Sequence, residues 1–227
     1  MEVFDGKLGC YPHKKINIRL KLGVRLTYKR PYPVPYLRKE TFKRELQHLI
    51  REGALRPFRA TDWAFPTFLI PKKNDRVSWI SDFRELNDLI ERPQYPLPRI
   101  QQIMLKQKSY KYFTKIDLSM MFYCFELVDE ARKELCTIVT PYGKFQYNRL
   151  PVGAKISPDV GQILIKKILD GLDIEAYMDD IGIWTDGTFD EHLTIVDNVL
   201  ERLLKNGTKY NPLKCEWFVQ ETAFLGY

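Results

Sequence analysis

Residues 175–186 read EAYMDDIGIWTD, two adjacent carboxylates set between two strand-like apolar runs. Strands joined by so short a corner pair as a hairpin, and such corners ordinarily carry Asn-Gly or Asp-Gly. Asp179 and Asp180 instead repel each other beside an apolar sheet, which adds a desolvation cost. A fold that keeps this hairpin must supply something that compensates the local negative charge.

The rest of the chain provides a sheet for that hairpin to join. KYFTKIDL predicts a buried strand ending in Asp117, and ELCTIVTPYGKFQYNRL a hairpin turning at Tyr142-Gly143. FPTFLIPKKNDRVSWISDFREL predicts a second hairpin with a basic tip at Lys72–Asp75. Phe42, Leu46, Leu49 and Ile50 recur at helical spacing between Glu40 and Gly53. Further helices are expected near Ile100–Lys106, from the Ser157-Pro158 cap to about Leu169, and from about Asp190 to Asn206, where Gly207 ends the helix. Strand-like pieces follow around Lys214–Val219 and Ala223–Tyr227. Prolines 31, 33 and 35 give the basic first 38 residues an extended, polyproline-like end. The class is α+β, with helices packed on a largely antiparallel sheet.

Composition narrows the function. A chain of 227 residues with 44% hydrophobic content buries a substantial core, and no stretch approaches the roughly 20 apolar residues of a membrane span. MEVFDGKLGC lacks the basic and apolar regions of a secretory signal. Cys10, Cys124, Cys136 and Cys215 have no metal-ligand spacing and are expected as free thiols in a reducing compartment. The expectation is an intracellular protein without a membrane partner, with cytoplasm and nucleus both open. Residues 1–60 carry 15 basic and 5 acidic side chains, whereas the remainder carries 21 and 24. A basic arm before an acidic body suits a polyanionic partner and a cation site.

If the strand ending in Asp117 neighbours the Asp179-Asp180 hairpin, three carboxylates meet at one sheet end. Mg²⁺ favours such oxygen ligands, and two metals suit in-line phosphoryl displacement. A solvated turn or a metal-dependent phosphohydrolase would present the same carboxylates.

Further motifs go beyond the carboxylates. YMDD at Tyr177–Asp180 resembles the metal-binding motif of retroviral and retrotransposon reverse transcriptases. FTKIDLSMMFYCFEL resembles the strand bearing the family's first catalytic aspartate, LPVGAKISPDVGQ its template and nucleotide-pocket motif, and SDFRELN its fingers motif. RPYPVP and WAFPTFLIPKKND resemble the lead-in of gypsy-type LTR retrotransposon polymerases, and NPLKCEWFVQETAFLGY the segment running into the primer grip. The resemblance implies right-hand polymerase fingers and palm, the palm a ferredoxin-like, RRM-like antiparallel sheet backed by helices, with the thumb absent. It implies a lead-in over 1–38, mainly fingers over 39–116 and mainly palm over 117–227, the two interleaving.

The resemblance also implies roles. Asp117, Asp179 and Asp180 would hold two Mg²⁺ ions, with Mn²⁺ able to substitute. Lys72 or Lys73 would face the nucleotide's β- and γ-phosphates. Phe122 would be a steric gate beneath the sugar, with a plain core aromatic as the other reading. Val152, Gly153 and Met178 would border the nucleotide, and Lys214 would donate a proton to pyrophosphate. Tyr177, Phe224, Leu225 and Gly226 would meet the template–primer. Ser78 stands where the family usually has a basic residue, and Arg76 is the nearby substitute; Val152 departs from the family's polar or bulkier residue. The implied partners are an RNA or DNA template with primer, deoxynucleoside triphosphates, and thumb, ribonuclease H and integrase domains of a parent polyprotein. An RNA-directed DNA polymerase and a non-catalytic remnant that binds nucleic acid or protein both remain open.

Overall fold

The computed structural model describes all residues except 1–6, 24–26, 59–60, 73–76, 93–94, 107–109 and 227. Its strands are β1 (Leu55–Pro57), β2 (Phe65–Pro71), β3 (Val77–Ser81), β4 (Tyr112–Asp117), β5 (Thr137–Thr140), β6 (Gly143–Tyr147), β7 (Glu175–Tyr177), β8 (Asp180–Thr185) and β9 (Glu216–Val219). Its helices are α1 (Lys39–Arg51), α2 (Arg84–Leu89), α3 (Ile100–Lys106), α4 (Glu130–Leu135), α5 (Ser157–Ile168) and α6 (Phe189–Lys205). The chain passes back and forth between two units, one drawn from residues 1–13, 93–124 and 158–227, the other from 14–92 and 125–157.

The first unit is built on a four-stranded antiparallel sheet in the order β7-β8-β4-β9. Asp117 pairs with Asp180, Lys115 with Gly182 and Phe113 with Trp184, so alternation sends all six to one face. On that face Phe113, Phe224 and Ile103 of α3 form a buried cluster with Trp184 and Tyr177 packed against it. Gly182 makes room for it: a Cβ there would stand within 2.3 Å of the Trp184 ring. On the opposite face α6 buries His192, Val196, Val199 and Leu203. A capping box starts this helix, Thr188 accepting from the Glu191 amide and the Glu191 carboxylate from the Thr188 amide. His192 bridges two strands, its ring nitrogens 2.8 Å from the hydroxyls of Thr114 on β4 and Thr185 on β8.

The second unit holds a five-stranded sheet in the order β1-β6-β5-β2-β3, antiparallel except for the β2–β5 pair. α1 buries Phe42, Leu46 and Leu49, the apolar stripe of its sequence. Phe42 packs on Trp79 of β3, and the Trp79 indole donates to the Tyr147 hydroxyl at 3.1 Å. Tyr147 in turn meets Ser81 at 2.9 Å, and Ser81 meets Thr67 at 3.2 Å, a fully buried polar relay across three strands. Before α1, Tyr36–Arg38 form a 3₁₀ turn after the proline-rich lead-in.

Several expectations change. The hairpin of β2 and β3 stops at Ser81, and the DFREL residues turn into α2 instead of continuing the strand. α4 and the three-residue β1 were not anticipated. Ala223–Gly226 is not a strand: Leu225 and Gly226 take φ of 54° and 89°, which turns the chain away from an extended path. The hairpin tip at 73–76 lies outside the described residues, so Lys73 and Arg76 do too. Cys10, Cys124, Cys136 and Cys215 are free thiols. Among the described residues no helix is long and apolar enough to cross a membrane.

Candidate active site

β7 and β8 are joined by a two-residue turn, Met178-Asp179, with Tyr177 and Asp180 facing each other as its closing pair. The corner therefore contains one aspartate, and the second begins the next strand. Met178 takes a φ of 53°, a conformation usually left to glycine. Asp117 closes β4 opposite Asp180, and the next amide, Leu118 N–H, donates to the Asp179 carbonyl at 2.7 Å. On its other side the Asp117 carbonyl accepts from Asn211 N–H at 2.8 Å. Backbone pairing thus brings all three aspartates to one corner of the sheet.

Their environments differ. Asp117 is only 7% exposed, Asp180 is half-buried and Asp179 is exposed. Burial holds the Asp180 carboxyl above the usual carboxylate range, and the charges of Asp179 and then Asp117 push it further up against the pull of Lys115 and Lys214. Asp117 has a close cation: Lys214 Nζ stands 2.8 Å from its Oδ2. Lys214 follows a turn in which its amide donates to the Asn211 carbonyl, so the chain segment paired to Asp117 also delivers its counter-charge.

Among the described residues no three His, Cys, Asp or Glu side chains form a ready-made metal cage. The donor set nonetheless suits a hard divalent cation: carboxylate oxygens, an Asp180 kept from ionising by burial and by the adjacent aspartates, and a lysine ammonium standing in at Asp117. Mg²⁺ characteristically needs only one or two carboxylates, with substrate phosphates and water completing its shell.

Two residues of α5 bear on this region, Gln162 on the corner itself and Gly161 on the turn after β4, and neither stands out by residue type. Gln162, 2% exposed, donates through Nε2 to the Ala176 carbonyl and accepts through Oε1 from the Met178 amide, both at 2.7 Å. Gly161 lies against the Met121–Cys124 turn, where a Cβ would come within 2.5 Å of the Met121 methyl and 3.0 Å of the Phe122 ring. Phe122 is partly exposed and rests on this bare backbone, unlike its buried neighbours Tyr123 and Cys124. Only the sequence position of Gly161 and Gln162, at the end of LPVGAKISPDVGQ, marked the helix turn as special.

Lys72, Val152, Gly153 and Ser78 belong to the second unit. Lys72 is exposed beyond the end of β2, and Ser78 pairs with Ile70 within the β2–β3 hairpin. Gly153 takes a φ of 101°, and a Cβ there would stand 2.9 Å from the Ser81 carbonyl, so both conformation and space require glycine. Asn87 of α2 clamps that loop, donating to the Gly153 carbonyl at 2.9 Å and accepting from the Lys155 amide at 2.7 Å. Nearby, Arg84 and Tyr32 hold the Asp82 carboxylate through bonds of 2.6–2.8 Å. The Arg84 guanidinium first, and the Tyr32 hydroxyl second, keep Asp82 well below the usual carboxylate range.

Residues 70–227 match the family described as reverse transcriptase (RNA-dependent DNA polymerase). The chain belongs to the reverse transcriptase family. It is 30% identical over 210 residues to the retrovirus-related Pol polyprotein from transposon 412 of Drosophila melanogaster, a match covering 88% of the chain and 17% of the polyprotein. It is 29% identical over 201 residues to the transposon Tf2-7 polyprotein of Schizosaccharomyces pombe, covering 87% and 15%. The chain thus spans less than a fifth of these retroelement polyproteins. Its fold is that of retroviral reverse transcriptases: the foamy viral protease-reverse transcriptase in complex with double-stranded DNA superposes with a TM-score of 0.90 at 22% identity, over 97% of this chain and 38% of that one. The same viral protein in complex with RNA/DNA hybrid gives 0.89 at 23% identity, over 98% and 30%.

In this reverse transcriptase chain the residues expected at template–primer divide. Tyr177 closes the carboxylate turn and is partly exposed. Phe224 is 2% exposed, with its ring against Trp184 and Phe113, so its side chain serves the core. Leu225 and Gly226 form the positive-φ turn that follows it.

Proposed function

We propose that this chain is the RNA-directed DNA polymerase domain of a retroelement, adding deoxynucleotides to a primer 3′-hydroxyl. The observation that carries the reading is the register pairing of Asp117 with Asp180 beside the Asp179 turn, where burial first, and the neighbouring aspartate charges second, raise the Asp180 proton affinity. In this reading the first unit is the palm and the second the fingers.

Two divalent cations, Mg²⁺ or Mn²⁺, held by Asp117, Asp179 and Asp180, would supply the acidity of the primer hydroxyl and the neutralisation of the triphosphate. Asp117 and Asp180 offer oxygens from a rigid strand pair, and Asp179 from the turn between strands. Lys214, at 2.8 Å from Asp117, balances charge in the resting site and carries the proton for the leaving pyrophosphate. Phe122 is the gate that excludes a 2′-hydroxyl, seated on Gly161. Lys72, Lys73 and Arg76 neutralise phosphates, Val152, Gly153 and Met178 border the nucleotide, and Tyr177, Leu225 and Gly226 guide the template–primer. Foamy viral relatives of the fold were solved on double-stranded DNA and on RNA/DNA hybrid, which supports a template–primer partner. The polyprotein relatives support further domains, such as thumb, ribonuclease H and integrase, in a parent element.

Primer extension on poly(rA)·oligo(dT) with Mg²⁺ or Mn²⁺ tests this. Extension by the wild-type chain that Asp117→Asn removes is the expected result. Extension unchanged in Asp117→Asn overturns the assignment. Ser78, at the position of an expected cation, favours a second reading as a non-catalytic nucleic-acid-binding remnant, which predicts template–primer binding with no extension under either metal.

A further inference from the structure

β7 is the edge strand of the four-stranded sheet, so among the described residues the outward backbone groups of Ala176 and Met178 have no neighbouring strand to pair with. Such groups need partners when they are withdrawn from water. Gln162 meets both with one side chain: its amide lies along the edge as a peptide group of a further strand would, giving to Ala176 and taking from Met178 at 2.7 Å each. The side chain is 2% exposed and spends both ends of its amide on this edge.

The turn that follows needs such a hold. Met-Asp is a poor hairpin corner, and Met178 at a φ of 53° adopts a backbone that a residue with a Cβ seldom enters unaided. The Met178 amide held by Gln162 is the first backbone group of that corner. The next residue is Asp179, and the one after is Asp180, in register with Asp117.

We propose that Gln162 is a positioning residue for the divalent-cation site, a side-chain surrogate for an edge strand that fixes the Met178-Asp179 turn and thereby the spacing of the carboxylates. The inference rests on the reading of Asp117, Asp179 and Asp180 as metal ligands. Because the carboxylates form no closed cage by themselves, their affinity for a cation depends on what holds the turn. Supporting partners of ligands typically change metal affinity by about 10- to 100-fold when removed.

The probe is Mn²⁺, titrated into the full 227-residue chain without nucleotide and followed by loss of the free-ion electron paramagnetic resonance signal. Gln162→Met keeps the side-chain length and removes both bonds; the expected result is Mn²⁺ binding weakened about 10-fold. Met178→Gly removes the penalty of the positive-φ turn, so the double variant Gln162→Met/Met178→Gly should recover most of the lost affinity. A residue needed only for packing predicts no such rescue.

Unaltered Mn²⁺ affinity in Gln162→Met, or weakened affinity that Met178→Gly fails to restore, overturns the proposal. If Gln162→Met does not fold, the double variant decides: a folded protein with near-native affinity supports the positioning role, and failure to fold overturns it. The underlying metal reading fails separately, if the wild-type chain and Asp117→Asn bind Mn²⁺ equally.

Discussion

The two sheets of this chain each hold a polar cluster, and the two clusters are handled in opposite ways. In the five-stranded sheet, Trp79, Tyr147, Ser81 and Thr67 form a continuous chain of hydrogen bonds, and the β5–β6 turn reaches its unusual backbone at Gly143, with a φ of 127°. In the four-stranded sheet, Asp117 and Asp180 are set opposite each other, and the corresponding corner uses a methionine at positive φ. The Trp79–Thr67 relay pairs its polar groups with one another; the Asp117–Asp180 corner keeps like charges together at a strained turn. Such local conflict is characteristic of functional sites, where stability yields to chemistry. The difference marks the four-stranded sheet as the one whose corner suits the proposed metal chemistry.

The largest test of that contrast is Asp180→Asn. Extension should disappear while the metal-free chain gains thermal stability, because the variant removes a repelled, half-buried charge. The sign follows from proton binding. Asp180 holds its proton more tightly folded than unfolded, so its contribution favours the fold at low pH and turns against it as pH rises through the carboxylate range. Melting of the metal-free protein across pH 4–8 (about 4 units, spanning the ordinary carboxylate and neutral range) should show a decline that Asp180→Asn flattens. A variant less stable than wild type at neutral pH breaks the comparison.

Tyr147→Phe is the mirror experiment. It strands the Trp79 indole N–H and leaves the Ser81 hydroxyl with Thr67 alone, and should lower unfolding free energy by about 1–3 kcal/mol, read by denaturant titration. Its Mn²⁺ affinity should match that of the wild type. A loss of metal binding here would show that the two sheets are not separate in function.

Phe122→Val should raise the ratio of ribo- to deoxynucleotide incorporation by about 10-fold, the scale set by changing the volume of an apolar pocket. A ratio that does not move returns Phe122 to the core. Ser78→Arg should lower the apparent KM for nucleotide about fivefold, corresponding to ~1 kcal/mol for one added hydrogen bond; an unchanged KM means that the position is already compensated. The smallest effect is expected at Asp82. Its depressed pKa contributes stability above the unfolded carboxylate value that is lost as pH falls through the folded one. Arg84→Ala should therefore move acid unfolding to a slightly higher pH and leave the neutral melting temperature almost unchanged, since Arg84 is largely exposed.

How far these features can be read from sequence follows the range of the interactions. Thr188 and Glu191 announce the start of α6, Ser157-Pro158 that of α5, and the Phe42–Leu46–Leu49 spacing the buried face of α1, because each signal lies within one or two turns. The aspartate cluster was legible because its two halves carry recognisable motifs 62 residues apart (Asp117 and Asp179). By contrast, α2 follows β3 without a glycine or proline to mark the change, and β1 is a strand only because β6 pairs with it. Gln162 looks like any polar residue on a helix until the edge of β7 is placed beside it. Phe224 was expected at template–primer because sequence carries the motif but not the burial: its ring fills the space left by Gly182.

The position of β4 has a consequence for how the molecule is made. β4 is interior to its sheet, and both its partners, β8 and β9, lie downstream, with the pair to Asp117 at Asp180. At a synthesis rate of about 5–20 residues per second, an emerging β4 therefore waits roughly 3–13 s for its first partner strand. During that interval Phe113 and Ile116 have no sheet to enter, and both edges of the strand are open to other chains. The intervening residues of the second unit can complete their own sheet in that time, since all five of its strands precede β7. The nascent chain is then a folded module carrying an unpaired strand, the species on which a ribosome-associated holdase would act and from which aggregation would begin.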